Sequence, residues 1–579
     1  MTDDPLAVLA TAVESLLPYL QESGELHDPV FEQPTQYGTA YFALCNAVLA
    51  TLGPPKRRSF HRDCALRGLD AALTHTADPS LPPTASGFDR VTGAVSRINH
   101  RDFTWPPILK TYRLVAKDDP AVGRQFASRI RDVDIEASFR SRPPSNWAAV
   151  WLSGEWIRIR EGLSPKTVDD VDAWLDVFLE DLLRPDDGFY FEPGKPNSYD
   201  LFTRFHMADL LAEGYDGRHR DALERLLSTG LERSLAVQLS DGSLASAHRS
   251  TGQTWTLGAQ VAFFTHASNL LADHDGELAG RSKQAVGAAW RAFLSLRRWQ
   301  RERGPFSPVE NVLPPPYRVG YEGYTADAHY SSLALGFLSV ALSAGFDARA
   351  EDGFQAERPP SVRAEHDPIF RAVAHAGRYS VAVNADPAPQ YDGFGITDLT
   401  VGPNRVLQFA SSVRHLQAGT FFNLGMARRT APGRTELDVM AQRKLTLESP
   451  LEGSVSRRAE VRLRAVSTDG EALAYWMDVT VDRDGVTVEE STPGTADYRT
   501  LLVPYVRDPG TGTETRVERL PHGIRLVHGE EKVVITADQT IESLTDLPYG
   551  YENRRGLCGL VRLDFAETTD RIRYRVTTG

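Results

Sequence analysis

The chain has 579 residues, 41% of them hydrophobic and 24% charged, with a formal net charge of -13. That length exceeds one ordinary core and implies two or more globular domains. No stretch approaches the roughly 20 apolar residues of a membrane helix, and the charge is spread without a basic run, which argues against a nucleic-acid surface.

The N-terminus, MTDDPLAVLATAVESLLPYL, starts acidic, lacks a basic leader and keeps polar residues inside its apolar stripe. It does not read as a secretory signal, and the expected location is the cytoplasm. Cys45, Cys64 and Cys558 are too few for a disulfide framework and none lies in a CxxC spacing, so buried free thiols are expected.

Up to about residue 345, apolar residues recur at three and four in segments such as YGTAYFALCNAVLATL, VDDVDAWLDVFLEDLL and AGRSKQAVGAAWRAFLSLRRW. Ser164-Pro165 reads as the opening of one helix and Arg184-Pro185-Asp186-Asp187-Gly188 as its close. The spacing predicts roughly ten to twelve helices in successive hairpins over residues 1–345, without a strict repeat and curling into an (α/α) toroid. The Pro-rich, charged stretch 346–369 reads as a linker. From residue 370 to 579 short alternating runs separated by Gly, Pro and Asp turns predict an antiparallel β-sandwich, with hairpin turns at DRDG (482–485) and HGEEK (528–532).

Polar and aromatic residues are densest between Pro143 and Arg249, at helix ends, which converge on the central cleft of a toroid. Asn146 precedes an apolar run, where it either caps the helix or offers its amide to a uronate carboxylate. Trp147 and Trp151 share a helical face, as core packing or as a sugar platform. His206 in LFTRFHMADLL is either a satisfied core histidine or a proton-transfer group. Tyr215 follows nine residues later, about 180° around and about 13 Å along an unbroken helix, so the two meet only if the chain turns at Gly214. Tyr199, seven residues before His206, is a rival base or a substrate contact. Arg249, after a DG turn, suits either a bidentate carboxylate contact or a surface ion pair. Arg204, Trp105, Trp255, Tyr321, Tyr324 and His329 stand in further polar-aromatic clusters and are candidate substrate contacts, with aromatic lining or helix capping as the competing explanation.

No nucleotide, serine-hydrolase, zincin or EF-hand motif occurs in its required setting. His366, His375 and His415 match no standard metal spacing, so no metal and no cofactor is expected.

The layout and these clusters resemble the toroid-plus-β-sandwich polysaccharide lyases of the chondroitin, hyaluronate and alginate lyase type. The segment NWAAVWL...RPDDGFYFEPGKPNSYDLFTRFHMADLL...DGSLASAHRSTGQTW is also similar to bacterial proteins grouped as domain of unknown function 2264, although AHRS stands where that family has GRS. The resemblance implies β-elimination at a uronate in an oligosaccharide or polysaccharide. Asn146 and Arg249 would neutralise the carboxylate, His206 or Tyr215 would take the C5 proton, and Tyr215 would protonate the leaving oxygen. Two other readings stay open: a glycoside hydrolase using paired carboxylates drawn from Asp102, Asp187, Asp200 or Glu322, and a carbohydrate-binding protein without turnover.

Overall fold

The structure is a computed structural model that describes residues 4–579 apart from 89–91, 140–144, 275, 303, 348–356, 367, 387–390, 403–422, 433, 435, 444–445, 448–451, 456–460, 469–473 and 493–496. The run NRVLQFASSV and His415 lie outside the described residues.

Thirteen α-helices occur among the described residues: α1 (Pro5–Leu16), α2 (Gly38–Leu52), α3 (Arg58–Ala77), α4 (Arg101–Asp118), α5 (Pro120–Arg131), the single turn α6 (Ile135–Ser138), α7 (Asn146–Arg160), α8 (Val168–Asp181), α9 (Asn197–Ala212), α10 (Arg220–Val237), α11 (Trp255–Leu271), α12 (Glu277–Arg297) and α13 (Asp327–Ser343). The helices α2, α4, α7, α9, α11 and α13 each pack on the next, and α13 returns to α2, which closes a ring. The remaining long helices lie outside, each against an inner one, so the chain forms a toroid of helical hairpins. Hydropathy sorts the two layers. Every residue of α13 from Asp327 to Leu342 is buried, as a helix enclosed on all sides requires, whereas α5 buries only Gly123, Phe126, Ala127 and Ile130, one amphipathic stripe. Gly154 lets α7 approach α4 closely, since a Cβ there would come within 2.8 Å of the Pro106 nitrogen.

Local punctuation differs from expectation in three places. The helix expected to open at Ser164-Pro165 begins instead at Val168, under a capping box of Thr167 and Asp170, while Ser164 Oγ is drawn to Glu155. The region is not purely helical: Ala85–Phe88 pairs with Val95–Arg97, and Leu183–Arg184 pairs with Phe189–Tyr190 across the turn expected to close that helix. The stretch expected as linker ends in a strand, Arg358–Glu365, the outer member of a four-stranded sheet, where Pro359 and Pro360 are tolerated because an edge strand has donors it need not use.

That sheet continues with Arg371–Gly377, Tyr379–Asn384 and Gly395–Val401; a five-stranded and a nine-stranded antiparallel sheet complete the C-terminal region. Val381 and Leu399, Leu501 and Val561, and Val479 and Val488 come from the three sheets in turn and share one apolar core. Both expected hairpins form, with Asp482 opposite Gly485 and His528 opposite Glu531 across two-residue turns.

The four-stranded sheet sits on the toroid through a small apolar cluster of Val237, Leu239 and Ala245 with Val373 and Ala382, and through polar contacts. Arg233 pairs with Glu365 at 2.7 Å and Asp200 at 2.5 Å, Ser246 N donates to Asp398 at 2.7 Å, and Arg555 bridges Glu310 at 3.0 Å and Asp398 at 3.3 Å. These charges are buried, so each must be paired, and the pairing specifies one docking geometry.

Candidate active site

The ring of inner helices opens on one side into a cleft lined by Tyr37, His100, Phe103, Trp147, Tyr199, Phe202, Arg249, Trp255, Tyr324 and Tyr330, with a cavity of about 140 Å³. Asn146 is the first residue of α7, and its Nδ2 donates to Glu192 Oε2 at 2.8 Å. Its Oδ1 is buried without a partner among the described residues, and the N-cap position is taken by Ser145, so the amide is not serving as the helix cap. Glu192 follows the short ribbon that holds Tyr190, whose hydroxyl donates to the same carboxylate oxygen at 3.1 Å. Arg249 donates from its terminal nitrogen to the other oxygen of Glu192 and lies over the Tyr199 ring, 4.4 Å from its centroid. One carboxylate thus receives an amide, a phenol and a guanidinium, three donors suited to an anion.

Tyr199, in the first turn of α9, is half-buried, and desolvation holds its phenol well above the ordinary pKa although Arg249 and the Ser250 hydroxyl, 3.2 Å away, act to lower it. Ser250 Oγ also meets Tyr324 Oη at 2.9 Å. Arg249 itself is held between two non-glycine residues in the left-handed region, His248 at φ 63° and Ser250 at φ 61°. The amide of His248 donates to Asp392 at 2.8 Å and that of Ser250 to Glu322 at 2.7 Å. Asp392 belongs to the β-region and Glu322 is pinned by Arg554 from a β-hairpin, so the helical and strand-rich regions together fix the arginine. Burial lowers the Arg249 pKa, but Tyr199 and Glu192 outweigh it and raise it, which keeps the guanidinium charged.

Tyr199 and Arg249 are therefore brought together in the cleft lining with Trp147, Trp255 and Tyr324, and Asn146 is joined to them through Glu192. His206 is not. Its ring lies one layer beneath, 4.8 Å from Phe202 and 4.9 Å from Phe205, and its Nδ1 is 3.1 Å from Ser153 Oγ. Burial pushes its pKa down to about 3 and Nε2 has no partner among the described residues, the state of a neutral core histidine. Tyr215 is elsewhere again, bonded to Asp172 and packed on Trp156, after a turn at Gly214 that leads the chain outward. Trp105 donates to Glu155 at 2.9 Å inside the core, Arg204 pairs with Asp200 at 2.7 Å, and Tyr321 donates to Asp327 at 3.0 Å, all away from the cleft lining. His329 lies just behind the lining, its Nε2 donating to Tyr324 O at 3.1 Å. Of the carboxylates considered for hydrolysis, Asp200 is held by Arg204 and Arg233, and Glu322 by Arg554 and the Ser250 amide. Glu192 was overlooked, because in DGFYFEPGKP nothing but the tertiary fold marks it off from a surface glutamate. Among the described residues no group of three or more His, Cys, Asp or Glu side chains is placed to hold a metal ion, and no helix is long and apolar enough to cross a membrane.

The fold is similar to that of the chondroitin AC lyase of Streptomyces coelicolor A3, solved with chondroitin sulphate, at a TM-score of 0.50 and 12% identity over 99% of this chain and 79% of that one. The architecture is that of a toroid followed by antiparallel sheets. Heparinase III (TM-score 0.36, 10% identity, 95% of this chain and 93% of that one) and a glycosyl hydrolase family 88 protein from Bacteroides vulgatus (0.38, 12%, 59% and 99%) are more distant likenesses. No protein-family model and no curated protein matches the chain, so the resemblance to domain of unknown function 2264 rests on its motif order.

Proposed function

We propose that the protein is a glycan-cleaving enzyme that acts on a uronate-containing oligosaccharide or polysaccharide by β-elimination. The observation that carries this is the meeting of Tyr199 and Arg249 in the lining of an aromatic cleft, with Asn146 joined to Arg249 through Glu192. In this reading the rings of Trp147 and Trp255 seat the sugar faces. Arg249 and Asn146 stabilise the negative charge that grows on the carboxylate as the C5 proton leaves. Tyr199 is the proton-transfer group: its phenolate oxygen takes the C5 proton, the C4–O bond breaks as the C4–C5 double bond forms, and the phenol so formed gives that proton to the leaving oxygen. Arg249 over the ring counters the desolvation that disfavours the phenolate the first step needs, and Tyr199 takes the roles first expected of His206 and Tyr215.

Glu192 favours a second reading. A carboxylate anchored by three donors beside the cleft is the kind of group a glycoside hydrolase uses, with Glu322, whose Oε2 is buried without a partner, as the nearby candidate second acid. Incubation with uronate-containing oligosaccharides separates the two. New reducing ends with new ultraviolet absorbance from a conjugated alkene acid mean elimination, reducing ends without it mean hydrolysis, and neither product overturns both.

A further inference from the structure

A second cavity, of about 600 Å³, lies away from the cleft, between α10, α12 and the edge strand Arg358–Glu365. Its walls carry Arg281, Lys283, Arg291, Arg358 and Arg363 against Glu232 and Glu357. Glu232 already serves Arg281 at 3.1 Å and Arg363 at 3.8 Å. Arg291 and Arg358 differ from these. Neither has a carboxylate within ion-pair distance among the described residues, although both are partly buried. Arg291 Nε donates to Gln238 Oε1 at 3.0 Å, and Arg358 donates to the carbonyls of Gln238 and Leu235 at the end of α10. The two guanidiniums therefore converge on one residue with only neutral acceptors between them.

Placing two like charges together in a partly dry groove is costly, and arginines there normally have a carboxylate or a bound anion. Their pKa values show the cost. Burial pushes Arg291 down to about 10, and burial with the charge of Arg291 pushes Arg358 down to about 9. Among the described residues the terminal nitrogens of Arg291 have no partner and can act as a planar fork, the geometry that grips two oxygens of one oxyanion, and Lys283 adds a point charge without an ion pair of its own.

We propose that this groove between the domains binds a sulfate or phosphate monoester, with Arg291 as the principal ligand, Arg358 beneath it and Lys283 on the wall. A sulfated sugar and a phosphorylated sugar offer the same tetrahedral oxyanion, and the site's chemistry accepts either. Because it joins α12 to the edge strand, occupation would also tie the β-region to the toroid.

The test is calorimetric titration of the full chain at pH 7 with inorganic sulfate, inorganic phosphate, glucose 6-sulfate and glucose 6-phosphate, against chloride at equal ionic strength. Saturable binding of at least one oxyanion is expected. R291Q should weaken it about tenfold or more, as loss of a charge-assisted bidentate contact does, with R291K recovering part of the loss. K283Q is expected to weaken it about twofold to threefold, in the range of a partly exposed charge. Arg358 also ties its strand to α10, so R358Q is kept out of the test. The two sugar esters identify the source: preference for the sulfate ester means a sulfated glycan, and preference for the phosphate ester a phosphorylated sugar. No saturable binding of any of the four, or binding that R291Q leaves unchanged, overturns the proposal.

Discussion

Replacing Glu192 by Gln separates the two chemistries that the cleft allows. The side chain keeps its shape and can still accept from Asn146, 2.8 Å away, and from Tyr190 at 3.1 Å, but it loses the charge facing Arg249. An ion pair near a protein surface contributes about 4 kcal/mol of Coulomb energy at 4 Å with an effective dielectric near 20. The Arg249 side chain is 35% exposed, so solvent screening reduces that to about 1–2 kcal/mol of positive charge released to the cleft. If a substrate carboxylate is received by Arg249 and Asn146, Glu192 competes with it. E192Q should then lower KM for an acidic oligosaccharide about tenfold, the equivalent of 1.4 kcal/mol, and change kcat by less than about threefold. The assay is steady-state absorbance kinetics with kcat and KM resolved separately, on protein whose circular dichroism matches the parent. A fall in kcat of about a hundredfold or more, the loss expected when a reacting carboxylate is removed, would refute the reasoning and move Glu192 into the chemistry.

Y199F should reduce kcat by about 10²–10⁴ while leaving thermal stability within about 1 kcal/mol, since its phenol makes one hydrogen bond, from Ser250; retained turnover would remove Tyr199 from proton transfer. H206L is expected to keep the parent's pH–rate profile, because the imidazole is already neutral above about pH 3 and lies outside the cleft lining. The same histidine makes stability pH-dependent. Its folded pKa is lowered, so its contribution is fully present above the unfolded value near 6.5 and is lost as pH falls from there toward 3, measurable by comparing melting curves of H206L and parent between pH 7 and 4. D200N should destabilise by about 3–5 kcal/mol, because it leaves Arg204 and Arg233 buried with reduced compensation. Burial opposes the charged form of Asp200, but the two arginines outweigh it and depress its pKa. Its stabilisation is therefore present above the unfolded carboxylate range and lost as pH falls through the lower folded value, and an acid melting transition shifted upward in D200N checks the sign.

The division into a helical and a strand-rich part was readable because each imposes its own hydrophobic period. The toroid was expected from the number and length of the helices; the near-continuous apolar composition of Trp255–Leu271, a helix enclosed on all sides, agrees with it. What escaped was set by tertiary context. The strand Arg358–Glu365 hides behind two prolines that an interior strand would forbid, and the ribbon at Leu183–Tyr190 is too short to show a period. Asn146, Tyr199 and Arg249 stood out as polar residues at helix ends, positions where side chains reach a shared cleft. His206 and Tyr215 were tied to them by order in the chain, which says nothing about depth: His206 lies one helical layer too deep, and Tyr215 follows a turn that carries it to Asp172. Glu192 carried no local signal at all.

The β-region has a direct bearing on the cleft, through the backbone on either side of Arg249. Left-handed conformations at non-glycine residues each cost on the order of 1 kcal/mol or more and persist only where surroundings over-determine them. His248 and Ser250 are both in this state, and a carboxylate on each amide opposes relaxation. Asp392, which holds His248, is itself held by Asn384 at 2.9 Å, and Glu322, which holds Ser250, is held by Arg554. Each chain of contacts starts in a strand or hairpin of the β-region and ends at the peptide beside the arginine. Loss of both Asp392 and Arg554 would remove these restraints together, release the strain and let the guanidinium swing from Tyr199 and Glu192. The helical ring supplies the aromatic walls and the amide of Asn146, but the position of the cleft's charged group is determined by the sheets docked against it.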